Sequence, residues 1–203
     1  MEKLIEKFLT KIKDKFVDNA SLSNGKQIYN EASLQYELAK FLEKKRYSVR
    51  LEFNIKDFMS EKNQNFVKRD VDIVAFKKRK KYAIELKFPR KGQYPEQMYK
   101  FIQDIAFMQK VKDKCKFDET YCLTVVDDYK FYDDTLNKTS EGIYKYFRSN
   151  KKITIKKGMI QKPTGVNKDK SSIELSSPCD VQWIDLNIKN EKGQKYMYYI
   201  IKI

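Results

Sequence analysis

Three residues carry the clearest chemical signal in this chain: Asp72, Glu85 and Lys87. Asp72 interrupts the apolar run 70–76 on a face it would share with Val74 and Phe76. In the run 82–88, strand alternation puts Ala83, Glu85 and Lys87 on one face and Tyr82, Ile84, Leu86 and Phe88 on the other. The segment between Asp72 and Glu85 is long enough for two adjacent antiparallel strands joined by a basic turn at 77–81, which would set the two carboxylates side by side. Two carboxylates that close repel each other unless a cation sits between them. Mg²⁺ (or Mn²⁺) suits such a pair, because magnesium takes one or two carboxylates plus waters and leaves room for a phosphate oxygen. The carbonyl of Leu86 would add a backbone ligand. Lys87 would point into the same site, orienting an attacking water or offsetting charge that grows on the phosphate.

These residues need a sheet and helices to hold them. Residues 2–18 place Leu4, Ile5, Phe8, Leu9, Ile12 and Phe16 at helical spacing, and 21–25 reads as a loop. A second helix is expected over 30–45, with Asn30 as N-cap and Leu34, Leu38, Phe41 and Leu42 as its buried stripe. In 47–55, Val49, Leu51, Phe53 and Ile55 alternate with Arg50, Glu52 and Asn54, the pattern of a half-exposed strand, and a polar loop follows over 56–68. Strands at 70–76 and 82–88 come next. Pro95 then suits the first turn of a helix over 95–113 whose core face is Met98, Phe101, Ile102, Ile105 and Met108. The apolar run 121–126 reads as a strand covered on both faces. Beyond Asp128 a short helix is expected at 142–148 and strands at 152–160, 172–175 and 181–188. A terminal hairpin should turn at 190–193, between 182–188 and 195–203.

The chain has 203 residues, enough for one domain with a core, and its 43 Lys and Arg against 28 Asp and Glu leave a formal charge of +15. Such an excess suits a polyanionic partner, because neutralising phosphates releases counterions. No histidine is present, which removes Ser-His-Asp and Cys-His nucleophiles, His-ligated zinc and any His general base. Cys115, Cys122 and Cys179 show no CxxC spacing and fit a reducing compartment. The charged N-terminal stretch is no signal peptide and no apolar run approaches membrane-spanning length, so a cytoplasmic location and no membrane partner are expected.

Asp72 followed by Glu85-Leu86-Lys87, within an αβββαβ order, resembles the D…(D/E)xK core of the PD-(D/E)xK (restriction-endonuclease-like) nuclease superfamily. The resemblance covers about residues 29–126, with 1–25 as an N-terminal helix and 127–203 as a β-rich C-terminal extension of one α/β domain around a central mixed sheet. The stretches Asn30-Glu31…Gln35 and Phe101-Ile-Gln-Asp-Ile-Ala-Phe107 resemble bacterial members of the superfamily rather than a named restriction enzyme. The family's proline before the first acid is not matched, since Val71 precedes Asp72. The resemblance implies Mg²⁺-dependent phosphodiester hydrolysis, with DNA favoured over RNA, and a homodimer if both strands of a duplex are cut. It implies Asp72, Glu85 and Lys87 as catalytic residues, joined by an added acid on the preceding helix as an extra metal ligand or ligand-orienter, for which Glu31 is favoured over Glu37. The same fold can instead serve as a nucleic-acid-binding or protein-interaction module without catalysis.

Candidate nucleic-acid contacts are Gln35, on the face of Glu31, Gln97 early in the helix after the ExK strand, and Arg69, Arg90 and Lys91. Gln97 and Asp104 also read as ordinary helix positions, Asp104 pairing locally. The basic string 77–81 resembles a nuclear-localisation signal, yet sits where a solvated hairpin tip is expected. Tyr129, Phe131, Tyr132, Tyr144, Tyr146 and Phe147, interleaved with lysines, either fill the core or stack on unpaired bases. Trp183 is expected in the core of the terminal hairpin.

Overall fold

Asn30 starts the helix that governs one side of the protein. Its Oδ1 accepts from the Ser33 backbone N–H at 2.8 Å, and the Asn30 N–H donates to Ser33 Oγ at 3.0 Å, satisfying two of the donors a helix start leaves unpaired. In the computed structural model, which describes residues 1–16, 28–58, 70–90, 92–165 and 171–203, this helix is α2 (Glu31–Lys44). It packs beside α1 (Glu2–Ile12), which ends earlier than its apolar spacing implied and passes into a 3-10 turn at Lys13–Lys15. The third helix, α3 (Tyr94–Cys115), carries Pro95 in its first turn.

Six strands form a mixed sheet: β1 (Ser48–Asn54), β2 (Asp70–Lys77), β3 (Lys80–Lys87), β4 (Glu119–Val126), β9 (Ile184–Lys189) and β10 (Lys195–Lys202), in the order β1-β2-β3-β4-β10-β9. Only β3 and β4 run parallel, with Glu85 opposite Cys122 and Lys87 opposite Thr124. The crossover between them is α3, as a parallel connection requires. Ile5, Leu38, Ile73, Ile84, Leu86 and Leu123 form a core under α1 and α2. On the opposite face, Val74, Ala83, Cys122 and Val126 pack with Phe101, Ile105 and Met108 of α3. That second core also takes in two small two-stranded sheets, β5 (Ile153–Ile155) with β8 (Cys179–Val181) and β6 (Gly158–Gln161) with β7 (Ser172–Leu175). The protein is thus mixed α/β with a central mixed sheet and an N-terminal helix. Among the described residues, no helix is long and apolar enough to cross a membrane.

Several sequence expectations change in detail. The terminal hairpin does not stand apart as an extension; β10 pairs with β4 and completes the sheet. The strand expected at 152–160 is split after Ile155, because Gly158 adopts φ +131°, a conformation that favours glycine. The strand expected from 181 is likewise interrupted, by buried Trp183, whose indole N–H donates to the Phe147 carbonyl at 2.6 Å. The helix expected at 142–148 is a single 3-10 turn, Tyr144–Tyr146. The loop expected over 56–68 begins as a 3-10 turn at Ile55–Phe58, while 59–69 lies outside the described residues.

The sheet is closed at one corner by charge. Glu119, at the start of β4, accepts hydrogen bonds from Lys202 Nζ of β10 at 2.6 Å and from the Tyr121 hydroxyl. Burial would push the carboxyl pKa up, but these two donors and neighbouring positive charge hold it at about 2. A carboxyl depressed in the folded state stabilises the fold above its unfolded pKa and loses that contribution as the pH falls. Glu119→Gln is therefore expected to lower resistance to urea at neutral pH, with the gap to wild type closing between about pH 4.5 and pH 2. A gap that stays constant over that range would assign the loss to packing instead.

Candidate functional site

The β2–β3 ladder runs from Lys77 opposite Lys80 to Ile73 opposite Ile84, and its pairing stops just before Asp72 and Glu85. The β1–β2 pairing skips the same point, passing from Leu51 opposite Ile73 to Phe53 opposite Val71. At the skipped position Glu52 has φ +46°, a left-handed backbone that a glutamate adopts only when its surroundings hold it there. The kink reverses the alternation expected for 47–55. Val49 packs on the α1/α2 side, whereas Phe53 and Ile55 pack on the α3 side. On β2, Val71 and Ile73 likewise belong to opposite cores.

Side chains take over where the ladders open. Gln35 Nε2 donates to the Asp72 carbonyl and to Glu52 Oε1, both at 2.7 Å. Its two amide protons are thereby committed to shaping the strand junction. Asp72, 7% exposed, turns its own Oδ2 onto the Leu86 N–H at 2.6 Å. The other end of Leu86, its carbonyl, accepts from Lys87 Nζ at 3.0 Å. The central residue of the Glu85-Leu86-Lys87 string is held at both its polar atoms by its catalytic candidates.

Lys87 is the hub. Its Nζ lies 3.4 Å from Glu31 Oε1, 3.5 Å from Asp104 Oδ2 and 3.9 Å from Glu85 Oε1. Each acid comes from a different element: Glu31 from the first turn of α2, Asp104 from the middle of α3 and Glu85 from β3 itself. Burial alone would lower the Lys87 pKa, but Asp104, Glu31, Glu85 and Asp72 together outweigh it and push it upward. Lys87 therefore stays an ammonium at neutral pH and can act as a cation or donor, not as a base. Glu31 fixes the strand end as well, its Oε2 accepting from the Phe88 N–H at 3.0 Å.

The remaining candidates divide clearly. Glu37, the alternative to Glu31, lies elsewhere and is held by Lys15 at 2.8 Å and Lys40 at 3.3 Å. Arg90 leaves the end of β3 and pairs with Asp127, beyond the end of β4, at 2.7 Å. Gln97 is half-buried in the early part of α3. Arg69 and Lys91 lie outside the described residues. The basic turn sits at the far end of the hairpin, five strand residues from Asp72, about 16 Å. There Lys77 donates to the Lys45 carbonyl at 2.8 Å and Lys81 covers the rings of Phe58 and Phe117.

Asp104, read from the sequence as pairing locally, reaches the cluster from α3. Its Oδ2 lies 3.5 Å from Lys87 Nζ of β3. The available signal was its position: 8% exposed, between Phe101 and Ile105 on the apolar stripe, where an acid needs a partner.

Among the described residues, no three carboxylate or thiol side chains are gathered so as to hold a metal ion by themselves. Magnesium does not require three, since it binds through one or two carboxylates and keeps several waters. Asp72, Glu85 and the Leu86 carbonyl are all hard oxygen donors, two of them on buried carboxylates, and that donor chemistry fits Mg²⁺ or Mn²⁺. No protein-family model, characterised protein or solved structure matches this chain at a significant level.

Removing the ammonium would leave the acids around it without their cation. Lys87→Met is expected to cost about 3 kcal/mol of folding stability at neutral pH, read by urea unfolding. A loss below about 0.5 kcal/mol would mean that the cluster is effectively solvated, as exposed ion pairs are.

Proposed function

We propose that this protein is a metal-dependent nuclease of the restriction-endonuclease-like type, hydrolysing phosphodiester bonds, with DNA favoured over RNA. The observation that carries the reading is the junction at the end of β3, where Asp72, Glu85 and the Leu86 carbonyl adjoin an ammonium clamped by Glu31 and Asp104. Support also comes from the order α2, β1, β2, β3, α3, β4, which matches the αβββαβ order implied by the sequence resemblance.

In this reading Asp72, Glu85 and the Leu86 carbonyl hold Mg²⁺ or Mn²⁺, which supplies Lewis acidity toward the phosphate and the attacking water. Hydrolysis adds the water oxygen to phosphorus and breaks one ester bond, giving a phosphomonoester and a free hydroxyl. Lys87 stays protonated and donates toward the water or the phosphate oxygen on which charge accumulates. Glu31 and Asp104 are positioning residues: they hold the ammonium from opposite faces of the sheet and do not touch the reacting atoms. Glu31 further fixes the backbone just past Lys87.

The test is cleavage of single- and double-stranded DNA and RNA with Mg²⁺, Mn²⁺ or EDTA. Metal-dependent cutting is expected, abolished by Glu85→Gln, Asp72→Asn and Lys87→Ala. Asp104→Asn should lower the rate about tenfold or more while leaving substrate affinity unchanged, because it loosens the lysine and not the substrate. Wild-type protein that cuts none of these substrates, or cutting that survives Glu85→Gln, would overturn the reading.

A further inference from the structure

The aromatic and basic residues after β4 fall into two groups. Phe131 and Phe147 are buried and pack against Phe101 in the α3 core. Tyr146 is not fully absorbed. It stands at the wall of an open cleft of about 420 Å³ between the 3-10 turn at 144–146 and the β5–β6 connection. Lys145, Lys156 and Lys157 line the cleft around Ile153 and Met159, and no acidic side chain lines it among the described residues. Met159 is 59% exposed, the largest fraction among the exposed large hydrophobic residues described. Lys156 and Lys157 make no hydrogen bond or ion pair among the described residues. Gly158, at φ +131°, makes the turn that presents them.

We infer that this cleft is a binding site for single-stranded nucleic acid, distinct from the junction at Lys87. A lysine rim around an apolar and aromatic floor matches the two parts of an unpaired strand: phosphates that release counterions, and base faces that stack. Lys145 Nζ lies 5.0 Å from the centroid of the Tyr146 ring, so a phosphate-binding cation and a stacking face are adjacent. A duplex hides its base faces and would leave Met159 and Tyr146 without a partner. The cleft volume suits one or a few bases rather than a folded partner.

The cleft is also tied to the helix that carries Asp104. Gly158 pairs with Leu175 across β6 and β7, and the next two residues are held by Gln109 of α3. The Gln109 Oε1 accepts from the Ser176 N–H at 2.8 Å, and its Nε2 donates to the Ser177 carbonyl at 2.9 Å. Gln109 follows Asp104 by five residues, about 7.5 Å along the helix axis. A strand seated in the cleft is thus registered to the same rigid element as the lysine site. The inference does not require cleavage at that site.

The experiment is fluorescence anisotropy in EDTA with a labelled short oligothymidylate and a duplex of the same length. The proteins are wild type, Tyr146→Ala, Tyr146→Phe and the double variant Lys156→Ala/Lys157→Ala. The single strand should bind more tightly than the duplex. The double lysine variant, altered only at exposed positions, should weaken single-strand binding and reduce the salt slope by about 1.4. Tyr146→Ala should weaken it about tenfold, and Tyr146→Phe should retain it. Every reading is taken in EDTA, where the proposed metal-dependent cleavage cannot run, so a failure of the nuclease reading would appear in the cleavage assay and not here. Equal binding by wild type and the lysine variant, a preference for duplex, or displacement by polyglutamate better than by unlabelled oligothymidylate would each overturn the inference.

Discussion

The ammonium of Lys87 is the point on which three separate elements converge. A buried carboxylate without a cation is strongly unfavourable, and the acids that reach Lys87, two of them buried, come from α2, α3 and β3. One cation therefore sets where both helices end up relative to the strand. α2 must bring its first turn to the end of β3, because Glu31 serves both Lys87 and the Phe88 N–H. α3 must face the sheet through its middle, because Asp104 sits within its apolar stripe. Packing of Phe101, Ile102 and Ile105 supplies the attraction between α3 and the sheet, and the Asp104 contact fixes the register at which they meet.

The same corner explains the irregular strands. A regular ladder would have paired Glu52, Asp72 and Glu85 through their backbones, leaving Asp72 to alternate like its neighbours. Instead Glu52 takes a left-handed backbone, Gln35 takes the Asp72 carbonyl, and the Asp72 carboxylate takes the Leu86 N–H. Hydrogen bonding is thereby conserved while the side chains on either side of Asp72 change faces. Backbone strain at Glu52 is offset by the bond its side chain accepts from Gln35.

Much of this was readable from residue types. Helix spacing, the Asn30 cap, the doubly covered β4 and the terminal hairpin all follow from local patterns that tertiary packing reinforces. The adjacency of Asp72 and Glu85 was readable for the same reason, since a hairpin of that length has few registers that bury its apolar face. What local pattern could not supply was non-local. Asp104 looked like a helix residue, because its partner lies on a strand that precedes the helix. The kink at Glu52 looked like regular alternation, because the cause lies in Gln35 and Asp72. The division of 152–160 into two strands depends on a glycine backbone angle, and the joining of β10 to β4 depends on a strand pairing far apart in sequence.

Charge is arranged oppositely inside and outside. The chain carries +15 overall, yet four acids, Asp72, Glu85, Glu31 and Asp104, gather around the single Lys87 ammonium. The nearest arginine candidate, Arg90, is already engaged by Asp127. A phosphodiester approaching this corner would meet more carboxyl groups than cations. The outer lysines can draw a polyanion to the surface at long range, but they cannot relieve repulsion at the contact itself. In the proposed reaction that relief has to come from a cation placed among the acids, and Asp72, Glu85 and the Leu86 carbonyl are the oxygen donors available to hold one. In that proposal the acids at the end of β3 make the ion a condition of substrate approach as well as of the chemistry.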